Sequence, residues 1–304
     1  MLQSPLHKTL LNCGIAVAMT LCSVVAYARF VDPEWTGAKI MQESDDRHQQ
    51  FPFIYEEQTM VLIDSAGHRN VRRLRRYTRL EDSGEVKFLL VFDDPSEIRG
   101  VALVAIREPG GSVRHGVYLP AFGPNIKVPE QTGIGEHFLG TDFAIEDLTP
   151  ETLEDYRYVR QRDRIIEGAD YFVVDAYPNK STPGVRTGYG LRRHVIRKDN
   201  FMVVQTDVYD AALRFFKRVT HHDLRQVDGD SWRANMIVAN DRRETHRTLL
   251  KVDRRVYSQD YVPAELFAVD FLTSNRHVVD AAVGEAPAEQ SEAERRLMQQ
   301  ADDS

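Results

Sequence analysis

The stretch FLGTDFAIEDL, Phe138 to Leu148, sets three carboxylates, Asp142, Glu146 and Asp147, among apolar side chains, with His137 just before them. Clustered acids beside a histidine can hold a metal or move a proton. The spacing suits neither. It lacks the alternate-position oxygens of a calcium loop and the tight His and Cys spacing of a zinc site, so no metal is expected. The plainer reading makes Asp142 or Thr141 a cap and leaves Glu146 and Asp147 facing water. His221 and His222 are adjacent, and neighbours on a strand point to opposite faces, so they cannot readily share a ligand. There is no nucleophile elbow and no phosphate loop. GIGEHFLG has Gly133 and Gly135 but misses the third glycine of a dinucleotide fingerprint. No catalytic residue and no cofactor are expected, and the chain reads as a non-enzyme.

A second charged feature is HRNVRRLRRYTRL, with Arg69, Arg72, Arg73, Arg75, Arg76 and Arg79 in a chain whose net charge is −7. Nucleic acid is excluded as a partner, because the chain is expected to be exported and offers no base-stacking aromatic platform. The arginines could meet an anionic headgroup or a partner surface, or simply balance acids along an exposed strand that resists edge pairing.

Export follows from residues 1–28: His7 and Lys8, an apolar run from Leu10 to Val25, then Ala26-Tyr27-Ala28. This is the pattern of a signal peptide cleaved after Ala28. Both cysteines, Cys13 and Cys22, lie inside it, so the mature chain would have neither disulfide nor thiol nucleophile. From Val283 the composition turns to Ala, Glu, Gln and Ser, a flexible acidic tail over 283–304. One domain over 29–282 lies between.

The elements that must position these groups are mostly strands. QTMVLID, RNVRRLRRYTRL, EVKFLLVF, VALVAIRE and SVRHGVYLPAF are short runs divided by glycine turns, a meander of five strands. ADYFVVDAYP, NFMVVQTDVYD, LRFFKRVTHHDLRQV, SWRANMIVAN and RETHRTLLKVD continue the pattern. Trp232, Ala234, Met236 and Val238 share a face. Helices are expected at 35–48, 142–157 and 263–268. So few helices cannot cover a parallel sheet. The expected class is α+β, a strongly curved antiparallel sheet (half-barrel) closed by a few short helices around an apolar cavity.

Pro95, Ile98, Arg99 and Gly100, then Tyr118-Leu119-Pro120, then Gly140-Thr141-Asp142-Phe143 with Glu146-Asp147-Leu148, resemble in that order the outer-membrane lipoprotein-sorting family, in its larger LolA-like branch. The tail HRTLLKVDRRVYSQDYVPAELFAVDFL fits as well, so the resemblance spans residues 35–272. Two departures stand out: only Lys127 follows Tyr-Leu-Pro where the family often has paired arginines, and Ile145 replaces a tyrosine. The resemblance implies a soluble, monomeric periplasmic carrier that takes a lipid or lipidated protein across the envelope, with an inner-membrane exporter and an outer-membrane acceptor as partners. Phe88, Leu90, Phe92, Leu103, Tyr118, Phe172, Val174, Met202, Val204, Trp232 and Met236 are the candidate cavity residues. Phe138, Leu139, Phe143, Ile145 and Leu148 are the expected lid. The alternatives are a docking subunit of an exporter that carries no cargo and, third, an envelope hydrolase using the acids near Asp142.

Overall fold

The computed structural model describes residues 35–48, 51–109, 113–123, 125–127, 137–149, 151–179, 187–243 and 246–278. The expected leader over 1–28 and tail over 283–304 lie outside them. Helix α1 (Gly37–His48) precedes six strands, β1 (Phe53–Asp64), β2 (Arg69–Leu80), β3 (Val86–Asp94), β4 (Ala102–Arg107), β5 (Val113–Tyr118) and β6 (Ile126–Lys127). After the short helix α2 (Ile145–Leu148) come β7 (Tyr156–Arg160), β8 (Arg164–Ile166), β9 (Ala169–Pro178), β10 (Leu191–Arg197), β11 (Val203–Tyr209), β12 (Phe215–Asp228), β13 (Ser231–Asp241) and β14 (His246–Val256), and then α3 (Val269–Thr273).

All strands join one antiparallel sheet in the order β6-β5-β4-β3-β2-β1-β14-β13-β12-β11-β10-β9-β7, with β8 on β9. β6 and β7 are consecutive along the chain yet occupy opposite edges. Their connection must therefore carry the chain from one edge to the other, and this is the segment that holds FLGTDFAIEDL. The helix expected over 142–157 is only α2 and a 3-10 turn at Leu153–Asp155, followed by β7. Tyr156 and Tyr158 in fact alternate with Arg157 along an edge strand. Leu191–Arg197, left unassigned by the sequence reading, is a central strand.

Both faces of the first half of the sheet are covered. On one side Met60, Leu74, Phe88, Leu90, Phe92, Leu103, Val117 and Leu250 pack with Phe138, Phe143 and Leu148. On the other, Tyr55, Tyr77, Leu89, Val91, Val104 and Tyr118 pack with Val262, Phe267, Phe271 and Leu272 of the C-terminal segment. The Pro-x-x-Ile-Arg-Gly turn and Tyr118 belong to this second docking. Gly100 has φ 77, and a Cβ there would lie 2.9 Å from Val278. Its carbonyl accepts from His277 Nε2 at 2.8 Å, and the Tyr118 hydroxyl donates to Asn275 at 2.9 Å.

Gly190 opens β10 where a Cβ would meet the carbonyl of Asp210 inside van der Waals contact. Gly190→Ala is expected to cost about 1–3 kcal/mol by forcing the backbones apart. Urea unfolding checks this, and an unchanged midpoint would show that the close approach is not required.

Candidate functional site

Residues 137–149 form a lid on the concave face. A 3-10 turn at Phe138–Gly140 puts Leu139 (φ 51) and Gly140 (φ 71) in the left-handed region, reversing the chain so that Phe138 and Phe143 both point into the core. The Leu139 carbonyl accepts from Arg72 Nη1 at 2.8 Å. Leu148 is buried beside them, and Leu139 and Ile145 pack at the margin.

Behind the lid lies a cavity of about 210 Å³, lined on the sheet side by Gln58, Arg76, Phe88, Leu90, Arg192, His194, Thr206, Val208, Val219, His221, Ile237 and Leu250. Phe143, Glu146, Asp147, Leu148, Thr149 and Glu151 complete the wall. Eight of these residues are apolar and the others are polar or ionisable, so it is not the wholly apolar hollow the pattern suggested.

The acids of the lid are turned inward, which corrects the expectation that Glu146 and Asp147 face water. Asp142 is 0% exposed. Its carboxylate accepts from Thr248 Oγ1 at 2.7 Å and Asp241 N at 3.1 Å, and meets His246 Nδ1 at 2.9 Å. Asp241, equally buried, accepts from Arg243 and meets His137 Nε2 at 3.0 Å. Those partners hold its carboxyl below the usual range although burial works the other way. This network clamps the start of the lid to the ends of β13 and β14. Among the described residues no group of three or more His, Cys, Asp and Glu is placed to hold a metal ion.

At the far end of the lid, Asp147 accepts from Ala144 N at 2.8 Å and from Lys217 Nζ at 2.5 Å. Lys217 also donates to the Tyr189 hydroxyl and is 0% exposed. Glu146 accepts from the Thr187 hydroxyl and stands 3.5 Å from Arg192 Nη2. Arg192 Nη1 donates to Glu151. Burial pushes the Glu146 carboxyl up. Arg192 loses hydration by burial, but Glu151, Tyr156 and Glu146 hold its guanidinium charged. His194 and His221 are driven down by burial to about 3 and about 4, aided by Arg192 and His222 respectively, so both are neutral at pH 7.

The sequence candidates divide. Phe88 and Leu90 line the cavity, and Phe92 and Leu103 belong to the same face. Phe172 and Val174 pair with Ile196 and His194, so they share that face without reaching the cavity. Tyr118, 1% exposed, lies on the opposite face. Met236 and Trp232 are of opposite parity to Ile237, a cavity residue, and so point away from it. Val204 falls in a bulge between the pairs Val195–Gln205 and Ile196–Val203, and Met202 precedes β11.

The arginine run is an interior strand, not a defended edge, and its side chains split between faces. Arg72 and Arg76 point to lid and cavity. Arg75 makes a bidentate pair with Asp93 at 2.7 Å and donates to the His277 carbonyl, while Arg79 reaches Glu81 and the Val262 carbonyl. Arg69 and Arg73 lie on the same strand. Sequence reading passed over Arg192, His194, Lys217 and Tyr189. The strands of the first three, LRRHVIR and FFKRVTHHDLRQVD, mix charged and apolar residues and carry no local signal that singles them out.

A half-barrel whose edge-to-edge connection plugs its concave face defines the LolA-like fold. Among solved structures the chain is similar to an outer membrane lipoprotein-sorting protein domain from Vibrio parahaemolyticus (22% identity, TM-score 0.70, covering 78% of this chain and 98% of that one). It is also similar to a DUF1329 family protein from Desulfovibrio piger (21%, 0.70, 78% and 97%) and a LolA superfamily protein from Nitrosomonas europaea (15%, 0.61, 78% and 99%). A family model described as "Uncharacterized protein" matches residues 84–274, and the chain belongs to that family. No curated protein matches it in sequence.

Proposed function

We propose that this protein is a periplasmic carrier that holds the acyl part of a lipid or lipidated protein under its lid and passes it across the envelope, without catalysis. An inner-membrane exporter would supply the cargo and an outer-membrane acceptor receive it. The observation that carries this reading is the lid itself: Phe143 and Leu148 occupy the concave core beside Phe88 and Leu90 and roof the cavity.

Its about 210 Å³ is less than the roughly 300–1,000 Å³ of pockets that hold small ligands, so a chain enters by displacing the lid. Burying methylenes gains ~0.8 kcal/mol each, on the order of 12 kcal/mol for a sixteen-carbon chain. Lifting Phe143 and Leu148 off the core offsets part of that, which keeps binding reversible. The left-handed Leu139, a conformation costing about 1–2 kcal/mol for a residue with a Cβ, favours opening.

The expected leader, and neighbours named for outer-membrane lipoprotein sorting, support the compartment. Against the hydrolase alternative stands the place of Asp142, whose carboxylate is taken up by its own hydrogen bonds and does not line the cavity. The docking alternative loses a continuous arginine surface, because Arg75 and Arg79 bind the C-terminal segment.

Native mass spectrometry of protein purified from the periplasm without detergent, followed by organic extraction, tests the proposal. Bound lipid or lipoprotein is the expected result. A clean apo mass, with no uptake of offered lipids, would overturn it.

A further inference from the structure

The charges in and behind the cavity come from two bodies. The sheet supplies Arg192 from β10, which lines the cavity and is 6% exposed, and Lys217 from β12, fully buried behind Asp147. The lid supplies Glu146 and Asp147 from α2, which face those cations. Arg192 is only partly satisfied, since its Nε and Nη2 are buried without a hydrogen-bond acceptor. The Nε of Arg76, across the same cavity, is in the same condition. Gln58 Oε1 and His221 Nδ1 also line the cavity unpartnered. Beyond this cluster the wall is Phe88, Leu90, Val219 and Leu250. Guanidinium groups and an aliphatic wall facing one cavity have the character of a receptor for an amphiphile.

Lifting the lid removes Glu146 and Asp147, which leaves the buried Lys217 without counter-charge and Arg192 with Glu151 alone, a costly state. A ligand that opens the lid and brings no negative charge bears that cost. A carboxylate or phosphate head restores the charge, and its planar or tetrahedral oxygens match guanidinium donors in pairs.

Building on the carrier reading, we propose that the cavity binds the anionic head of a long-chain amphiphile, a carboxylate or phosphate, at Arg192 and Arg76, with Lys217 reached once Asp147 leaves, and that Glu146 and Asp147 stand in for that head while the lid is closed.

The test is a competition, read by native mass spectrometry, among chain-matched probes: hexadecanoate, hexadecyl phosphate, hexadecanol and hexadecyltrimethylammonium, with inorganic phosphate alone as a further arm. Both anionic amphiphiles are expected to bind at least about tenfold tighter than hexadecanol, and the cation weakest. Glu146→Gln keeps the shape of the lid side chain and should widen the gap between anion and alcohol. Arg192→Gln should narrow it, with circular dichroism verifying the fold of each variant. Equal binding of hexadecanoate and hexadecanol, or a gap unmoved by Glu146→Gln, would overturn the head-group proposal and leave the carrier standing. Uptake of none of the amphiphiles would overturn both. Inorganic phosphate binding as tightly as hexadecyl phosphate would make the site one for free anions and overturn the amphiphile.

Discussion

Replacing Asp142 by Ala is expected to lower stability by about 3–5 kcal/mol, the usual consequence of removing one member of a buried charged network. The carboxylate is fully buried and serves three groups at once: the Thr248 hydroxyl, the Asp241 amide and His246. Alanine strands the hydroxyl and the amide in a dry site, and each unmet group adds about 1–3 kcal/mol. Asp142→Asn keeps the shape and one acceptor, so a smaller loss is expected. The exposed pair of Arg114 and Glu108, 2.9 Å apart, is the contrast, and removing it should leave the unfolding midpoint unchanged. Urea unfolding measures the global loss. Limited proteolysis between Phe138 and Leu148 separates it from simple release of the lid, because a lid that detaches alone becomes cleavable while the midpoint stays near wild type. An Asp142→Ala protein with both unchanged would mean that the network does not hold the lid.

What could be read without the structure was ten of the strands and the apolar side of the segment from Phe138 to Leu148, because both rest on local patterns: apolar runs between glycine turns, and Phe138, Phe143 and Leu148 set among acids. The inward parity of the strands could not be read. FLLVF is apolar at every position because Phe88 and Leu90 face the cavity while Leu89 and Val91 face the C-terminal segment. A strand covered on both sides carries no alternation from which to choose, and Tyr118 was assigned to the wrong face for that reason. TPETLEDYRYV carries a helix-start signal, yet Tyr156 to Arg160 form an edge strand, and pairing with β9 overrides the local propensity. The cations of the site were invisible for another reason. Lys217 and Arg192 look like surface residues until the chain returns Asp147 and Glu146 to them from the opposite edge of the sheet, a contact set by the β6-to-β7 crossing and by no local spacing.

Acidification from pH 7 to 5 is expected to weaken the fold by roughly 2 kcal/mol for each of His194 and His221. Both are neutral in the folded protein, held down to about 3 and about 4, chiefly because burial penalises the imidazolium and secondarily because Arg192 and His222 repel it. In the unfolded chain each titrates near the ordinary value of 6.5. Below that value the unfolded state binds protons that the folded state refuses, so stability falls steadily until the folded values are reached. The carboxylates held low by their partners, Glu56 and Asp163 among them, add their own loss only at more acidic pH, as protonation approaches their depressed values. Glu146 acts in the opposite sense: burial raises it, so taking up a proton relieves the folded state on acidification. The two histidines are therefore the groups to isolate. His194 is hydrogen-bonded to Thr206 at 3.0 Å, and a glutamine there keeps a polar partner without a titrating proton. A variant with His194→Gln and His221→Gln, followed by urea unfolding between pH 5 and 7.5, should show a slope against pH flatter by about two protons near pH 5 and little changed near pH 7.5. A slope equal to that of wild type would mean that the imidazoles titrate normally in the fold and that the polar end of the cavity is already wet.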